Sequence, residues 1–186
     1  LIGINIGNQD MKLVIKACLL TLLSISTLSQ SNETSSESFI EGKHQFSENQ
    51  DKQIEANSWA MCNAAYSMLS KINEEESPAY ASKLNQFGNG AGIAIVMTYY
   101  MHMDTNDDQS SFKADFARVW QHGLTMRESL MDVSATHIAS NIEIYGLNVS
   151  LVKLVNTVSI CSDNLDLQQS YIDKWRQLRE EGVVEN

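Results

Sequence analysis

Proline is almost missing. One residue in 186, Pro78, leaves every other stretch free to run as long helix, because only proline removes a helical donor and clashes with the preceding turn. Positive charge is scarce as well. Thirteen Lys and Arg stand against 23 Asp and Glu, a formal charge of −10. A surface of that sign repels phosphate backbones and anionic headgroups, so the balance argues against nucleic acid and against a charged membrane surface as partners. No apolar run reaches the roughly 20 residues that a transmembrane helix needs. Signatures of catalysis are also lacking. There is no His-Glu-x-x-His, no Gly-x-Ser-x-Gly, no Cys-x-x-Cys and no Cys-x-x-Cys-His. The four histidines, His44, His102, His122 and His137, are scattered, and a lone histidine on a helix is more often structural than catalytic. The sequence therefore leans away from an enzyme and implies no cofactor.

What is present begins with an address. Met11 is followed by Lys12 and Lys16, then by the apolar run from Ala17 to Ile25, then by small residues at Thr27, Ser29 and Ser31. Positive start, short apolar stretch and small-residue site form the pattern of a secretory signal. Residues 11–29 are read as that signal, cut after Ser29 or Ser31, and residues 1–10 as an upstream extension of the reading frame. Cys18 lies inside the apolar run, not after it, which argues against lipidation. Residues 30–50 are rich in Ser, Glu, Asn and Gln and have little to bury, so they read as a flexible polar tether. Within it Phe39, Ile40 and Phe46 are the side chains with apolar surface to dock. The expected destination is the periplasm or the exterior.

Residues 51–182 read as one helical domain. Trp59, Cys62, Tyr66, Leu69 and Ile72 recur at helical spacing, and Glu74, Glu75 and Glu76 crowd a helix end where the dipole disfavours acids. Ser77 and Pro78 restart a helix as N-cap and first residue. Tyr80, Leu84, Phe87, Ala91, Ile95 and Tyr99 carry that helix to about Met103. Gly88, Gly90 and Gly92 interrupt it, each costing about 1 kcal/mol in a helix interior, so a kink or break is expected there. After the polar stretch 104–108, Ser110 or Ser111 caps a helix whose inward residues are Phe112, Phe116, Val119 or Trp120, Met126, Leu130 and Val133. It continues to Tyr145, and Gly146 stops it. Residues 147–161 alternate at their start like a strand. The longer pattern Leu147, Leu151, Leu154, Val158, Cys161 favours helix. A last helix carries Leu167, Tyr171, Trp175 and Leu178. The sum is an all-α bundle of four or five helices. Cys62 and Cys161, an even pair in an exported chain, read as one disulfide between the first helix and the penultimate one, the alternative being two separate buried thiols.

Three constellations could carry function. Met97, Met101, His102 and Met103 offer the soft ligands that suit Cu(I), and His122 with Met126 makes a second pair. Core packing explains the same letters. Asp104, Asn106, Asp108 and Asp115 fall at positions 1, 3, 5 and 12 of an EF-hand-like calcium loop. Gln109 stands where that loop wants glycine and Asp115 where it wants glutamate, and an ordinary polar loop accounts for the segment more simply. Gly88 and Gly92, one turn apart, either let a neighbouring helix approach or line a cleft. No strand precedes them and no lysine follows, so a nucleotide loop is not supported.

The segment Trp59-Ala60-Met61-Cys62, with a second cysteine before the last helix, resembles immunity proteins of type VI secretion amidase effectors. The resemblance covers those two regions. It implies an inhibitor of a toxic envelope enzyme, with a basic or pocketed partner gripped by an exposed loop or helix. Without it, the residues support an exported binding or interaction protein with a protein partner in the envelope, and after that a copper or calcium carrier.

Overall fold

The computed structural model describes residues 38–40, 46, 51–102 and 109–183, with only the backbone of 109–115. Five helices follow one another, and no strand occurs among the described residues. They are α1 (Lys52–Asn73), α2 (Pro78–Met101), α3 (Gln109–Tyr145), α4 (Leu147–Ser162) and α5 (Leu165–Glu180). None of them is long and apolar enough to cross a membrane.

Helix α1 is the axis of the bundle. Asp51 caps it, its Oδ1 accepting the Gln53 N–H at 2.8 Å. From Glu55 to Ser70 it is buried on nearly every side, not along one stripe. Alanines at 56, 60, 64 and 65 make this possible, because small side chains let neighbours close in all round. It packs along α2 and also meets α3 and α4, while α2 reaches α3 and α5. The turn after α1 falls on the three glutamates, as expected, and Pro78 opens α2. Ser77 holds the cap position without a side-chain bond, and the hairpin is pinned instead by Ser70 Oγ donating to the Ala81 carbonyl at 2.8 Å.

The expected break at the glycines does not occur: α2 runs unbroken from Pro78 to Met101. All three glycines are buried. A Cβ on Gly88 would lie 3.4 Å from Tyr66 Cβ, so the bare backbone sets how closely α1 and α2 approach. Asn63 Nδ2 donates to the Gly88 carbonyl at 2.8 Å across that contact. Close packing thus offsets a propensity cost that sequence alone registers.

Helix α3 is a single run of 37 residues ending at Tyr145. Gly146 follows with φ of 81°, a conformation that favours glycine. The inward face expected at Val133 is corrected: Val133 is 61% exposed, and Ser134 and Ile138 turn inward in its place. Residues 147–162 are helix, with Leu151, Leu154 and Cys161 buried. Cys62 and Cys161 face each other with Cα atoms 5.7 Å apart, their sulfurs bonded, tying α1 to α4. Two side chains ahead of the domain join its core. Ile40 and Phe46 are buried, and the Phe39 N–H donates to Thr157 Oγ1 on α4 at 2.8 Å. The rest of the expected tether, the expected signal at 11–29 and residues 1–10 lie outside the described residues.

Candidate functional site

The soft-ligand candidates separate between core and surface. Met97 is fully buried, whereas Met101, one turn on, is 54% exposed. His102 turns back on its own helix, with Nδ1 2.8 Å from the Thr98 carbonyl. His122 packs edge-on against Tyr99, and its expected companion Met126 is half-buried. Met103, Asp104, Asn106 and Asp108 lie outside the described residues, as does the side chain of Asp115. Among the described residues no group of three or more His, Cys, Asp or Glu gathers as a metal site would. Gly88 and Gly92 both face α1 at Asn63, which makes them a helix contact.

Trp59 is wholly buried, and its role is to serve a carboxylate the sequence did not single out. Glu55, 1% exposed, accepts from Trp59 Nε1 at 3.1 Å and from the Tyr171 hydroxyl at 2.5 Å, both at Oε1. Phe46 stacks edge-on over Trp59 at 4.6 Å between ring centroids. This hub fastens the start of α1 to α5. Gln168, one turn before Tyr171, does the same for α2: its Nε2 donates to the Phe87 carbonyl at 3.1 Å. Both are buried polar groups that an ordered core holds by hydrogen bonds. Sequence does not single them out: Trp59 is one turn from Glu55, but the partners that bring in α5 and α2, Tyr171 for Glu55 and Phe87 for Gln168, lie 116 and 81 residues away.

The surface carries a different feature. Among the described residues seven large apolar side chains stand exposed, and four of them, Ile144, Tyr145, Val149 and Val152, belong to the elbow where α3 turns into α4. The cause is helical geometry. Leu151, Leu154, Thr157 and Cys161 commit one face of α4 to the core, which turns 149 and 152 outward. Gly146 then brings Tyr145 alongside, and Lys153 Nζ sits 5.6 Å from the Tyr145 ring centroid and 5.8 Å from that of Phe39. The ammonium is therefore shared between two aromatic faces. Phe39 also packs edge-on against His137 of α3. The outer side of the α3–α4 hairpin thus already binds one apolar piece of chain and leaves a second apolar area uncovered. Single exposed apolar residues are ordinary, so the grouping of four of them at one elbow is the feature that stands out. These four residues were legible in principle as the complement of the buried stripe on α4. Comparison with protein-family models, with curated proteins and with solved structures finds no match for this chain.

Proposed function

We propose that this chain is an exported, non-catalytic interaction protein that binds a protein partner in the cell envelope through the α3–α4 elbow. The observation that carries the reading is the exposed group Ile144, Tyr145, Val149 and Val152 on an otherwise acidic, water-facing bundle. The export half of the reading rests on the signal pattern that begins at Met11. A bundle pinned by a buried hub, by Gln168 and by a disulfide is a rigid support for such a surface, and a rigid surface loses little entropy on binding. An inhibitor that masks a toxic envelope enzyme is the narrower form of the same role, and the resemblance around Trp59 and Cys62 favours it.

The test uses the whole gene in its native host, with a C-terminal tag. Fractionation and intact mass should find the chain in the envelope fraction, cut near Ser29 or Ser31. Gel filtration should find it in a complex that the double variant Val149→Glu, Val152→Glu abolishes while keeping its helical circular dichroism. An uncut cytosolic chain would overturn the export half. A complex indifferent to both substitutions would overturn the elbow as its seat.

A further inference from the structure

Asparagine followed two residues on by serine or threonine, with no proline between, is the acceptor pattern for N-linked sugar in chains that leave the cytosol. It occurs twice here, at Asn32-Glu33-Thr34 and at Asn148-Val149-Ser150. The first lies outside the described residues. The second falls on the α3–α4 elbow, in the first turn of α4. A pattern of so few letters arises readily by chance, so the fold around it decides its meaning. Asn148 is exposed. Residues 143–146 and Val149 are exposed as well, and Leu147 between them is half-buried, so the tip of the elbow has room for a bulky polar substituent. Asn148 also stands one turn before Val152 on the same face of α4, and the first sugar of a chain attached there emerges beside Val149 and Val152.

Ser150 is the opposite case. It is fully buried, and its Oγ donates to Asn141 Oδ1 at 3.3 Å. Residues two apart on a helix point to nearly opposite sides, so the folded protein holds the hydroxyl away from the amide that the pattern pairs it with. Sugar transfer therefore precedes closure of the bundle, while the chain around 148–150 is still free to turn the hydroxyl back toward Asn148. Once the bundle closes, the hydroxyl serves the α3–α4 contact and the substituted asparagine stays outside. We infer that Asn148 carries an N-linked glycan, transferred from a lipid pyrophosphate-linked oligosaccharide by a membrane glycosyltransferase on the export route. The amide nitrogen of Asn148 bonds to the anomeric carbon of the first sugar. The bond from that carbon to the pyrophosphate oxygen breaks, the lipid pyrophosphate departs with the electron pair, and one amide proton is lost to base. Nothing is oxidised or reduced. A glycan there presupposes the export proposed above and is independent of whether the elbow seats a protein partner.

The experiment takes the full gene with its own signal in the native host and reads the chain by intact mass and by peptide mapping, before and after treatment with a glycan amidase. Expected is an increment of whole sugar units on the peptide that holds Asn148, which the amidase removes while converting that asparagine to aspartate. Asn148→Gln should abolish the increment on that peptide and leave the helical circular dichroism as it is, since the side chain is exposed. Ser150→Ala should abolish it too, and Ser150→Thr should keep it, because either hydroxyl completes the acceptor pattern. Both are read on the peptide, so neither depends on a stable fold. An exported, cut chain that is bare at Asn148, or that carries sugar at Asn32 alone, overturns the inference and leaves the interaction role standing. Sugar on this peptide that survives Asn148→Gln or Ser150→Ala overturns it in the same way. An uncut cytosolic chain overturns the export half of the proposed role and this inference with it.

Discussion

Breaking the Cys62–Cys161 bond should be the most damaging single chemical change to this domain. The bond joins residues 99 apart in sequence. On the chain-entropy account, a loop of that length removes about 4–5 kcal/mol of freedom from the unfolded chain. A native protein has only about 5–15 kcal/mol of stability in all, so the loss is a large share. For a domain of this size, 1 kcal/mol corresponds to roughly 3–5 °C of melting temperature, so the double variant Cys62→Ala, Cys161→Ala should melt about 12–25 °C lower. Both cysteines are fully buried, so reductant in solution has no path to the sulfurs while the fold is closed. Reduction of the wild type at room temperature should therefore proceed no faster than opening, and should accelerate across the melting transition. Differential scanning calorimetry of three samples checks this: oxidised wild type, wild type reduced in urea and refolded in reductant, and the double variant. The two forms lacking the bond should agree within a few degrees, their difference measuring only the packing of two thiols. A drop below about 3 °C would refute the reasoning, because α1 and α4 would then be held by their other contacts alone. Those contacts are the Tyr66 hydroxyl with Ser162 Oγ at 3.3 Å and the side-chain packing between them.

Two further outcomes follow from particular contacts. A Cβ at Gly90 would stand 2.1 Å from Gln168 Nε2 and 3.1 Å from Ile172 Cδ1, whereas at Gly92 the nearest atoms are Asn63 Nδ2 at 3.7 Å and Met131 Sδ at 3.9 Å. Gly90→Ala gains about 1 kcal/mol of helix propensity but displaces a buried amide from the Phe87 carbonyl, for a net loss of about 1–3 kcal/mol, while Gly92→Ala should be neutral or stabilising by up to about 1 kcal/mol. Urea denaturation of the two variants decides the matter, and the reverse order would refute it. Burial pushes the Tyr66 phenol above its usual value of 10.0, which outweighs the lowering effect of its hydrogen bond with Ser162. The folded state then holds the proton longer than the unfolded one, so this contribution is complete below pH 10 and is lost as pH rises through the folded-state value. Tyr80, Tyr99 and Tyr100 are shifted the same way by burial. Stability measured from pH 8 to 11 should fall on the alkaline side, and less steeply in Tyr66→Phe. Equal slopes in the two proteins would remove Tyr66 from the account.

How much of this architecture could be read beforehand depended on how local its cause was. Pro78, the three glutamates of 74–76 and Gly146 each act within a few residues, and each ends or starts a helix where expected. The cysteine pair was legible because composition leaves few ways to pair two residues. Val133 was misread for a definite reason. The stripe traced through Met126 and Leu130 follows bulk, but the inner face of α3 contains Gly123, packed 3.2 Å from Val96 by its projected Cβ, and the small polar Ser134. A helix that nestles against α2 through small residues hides its inward face from any count of large apolar ones. For the glycines of α2, the close helix approach at Gly88 and Gly92 is legible in their spacing, whereas the break is not realised, since the cost of glycine is local while its compensation comes from α1 and α5.

The same distinction separates the core from the candidate site. Glu55 and Gln168 look in sequence like ordinary solvated helix residues; Trp59 meets Glu55 within its own helix, but Tyr171 and Phe87 reach Glu55 and Gln168 only in the assembled bundle. Removing either would leave donors or acceptors stranded in a dry interior, a cost of about 1–3 kcal/mol per group, so they bear on whether the bundle forms. The elbow residues are the opposite case. Val149 and Val152 are apolar where the fold does not ask for it, on the water side of a helix whose other face already supplies Leu151 and Leu154 to the core. Exposed apolar residues grouped on one side of the bundle are the feature that the proposed interaction role rests on.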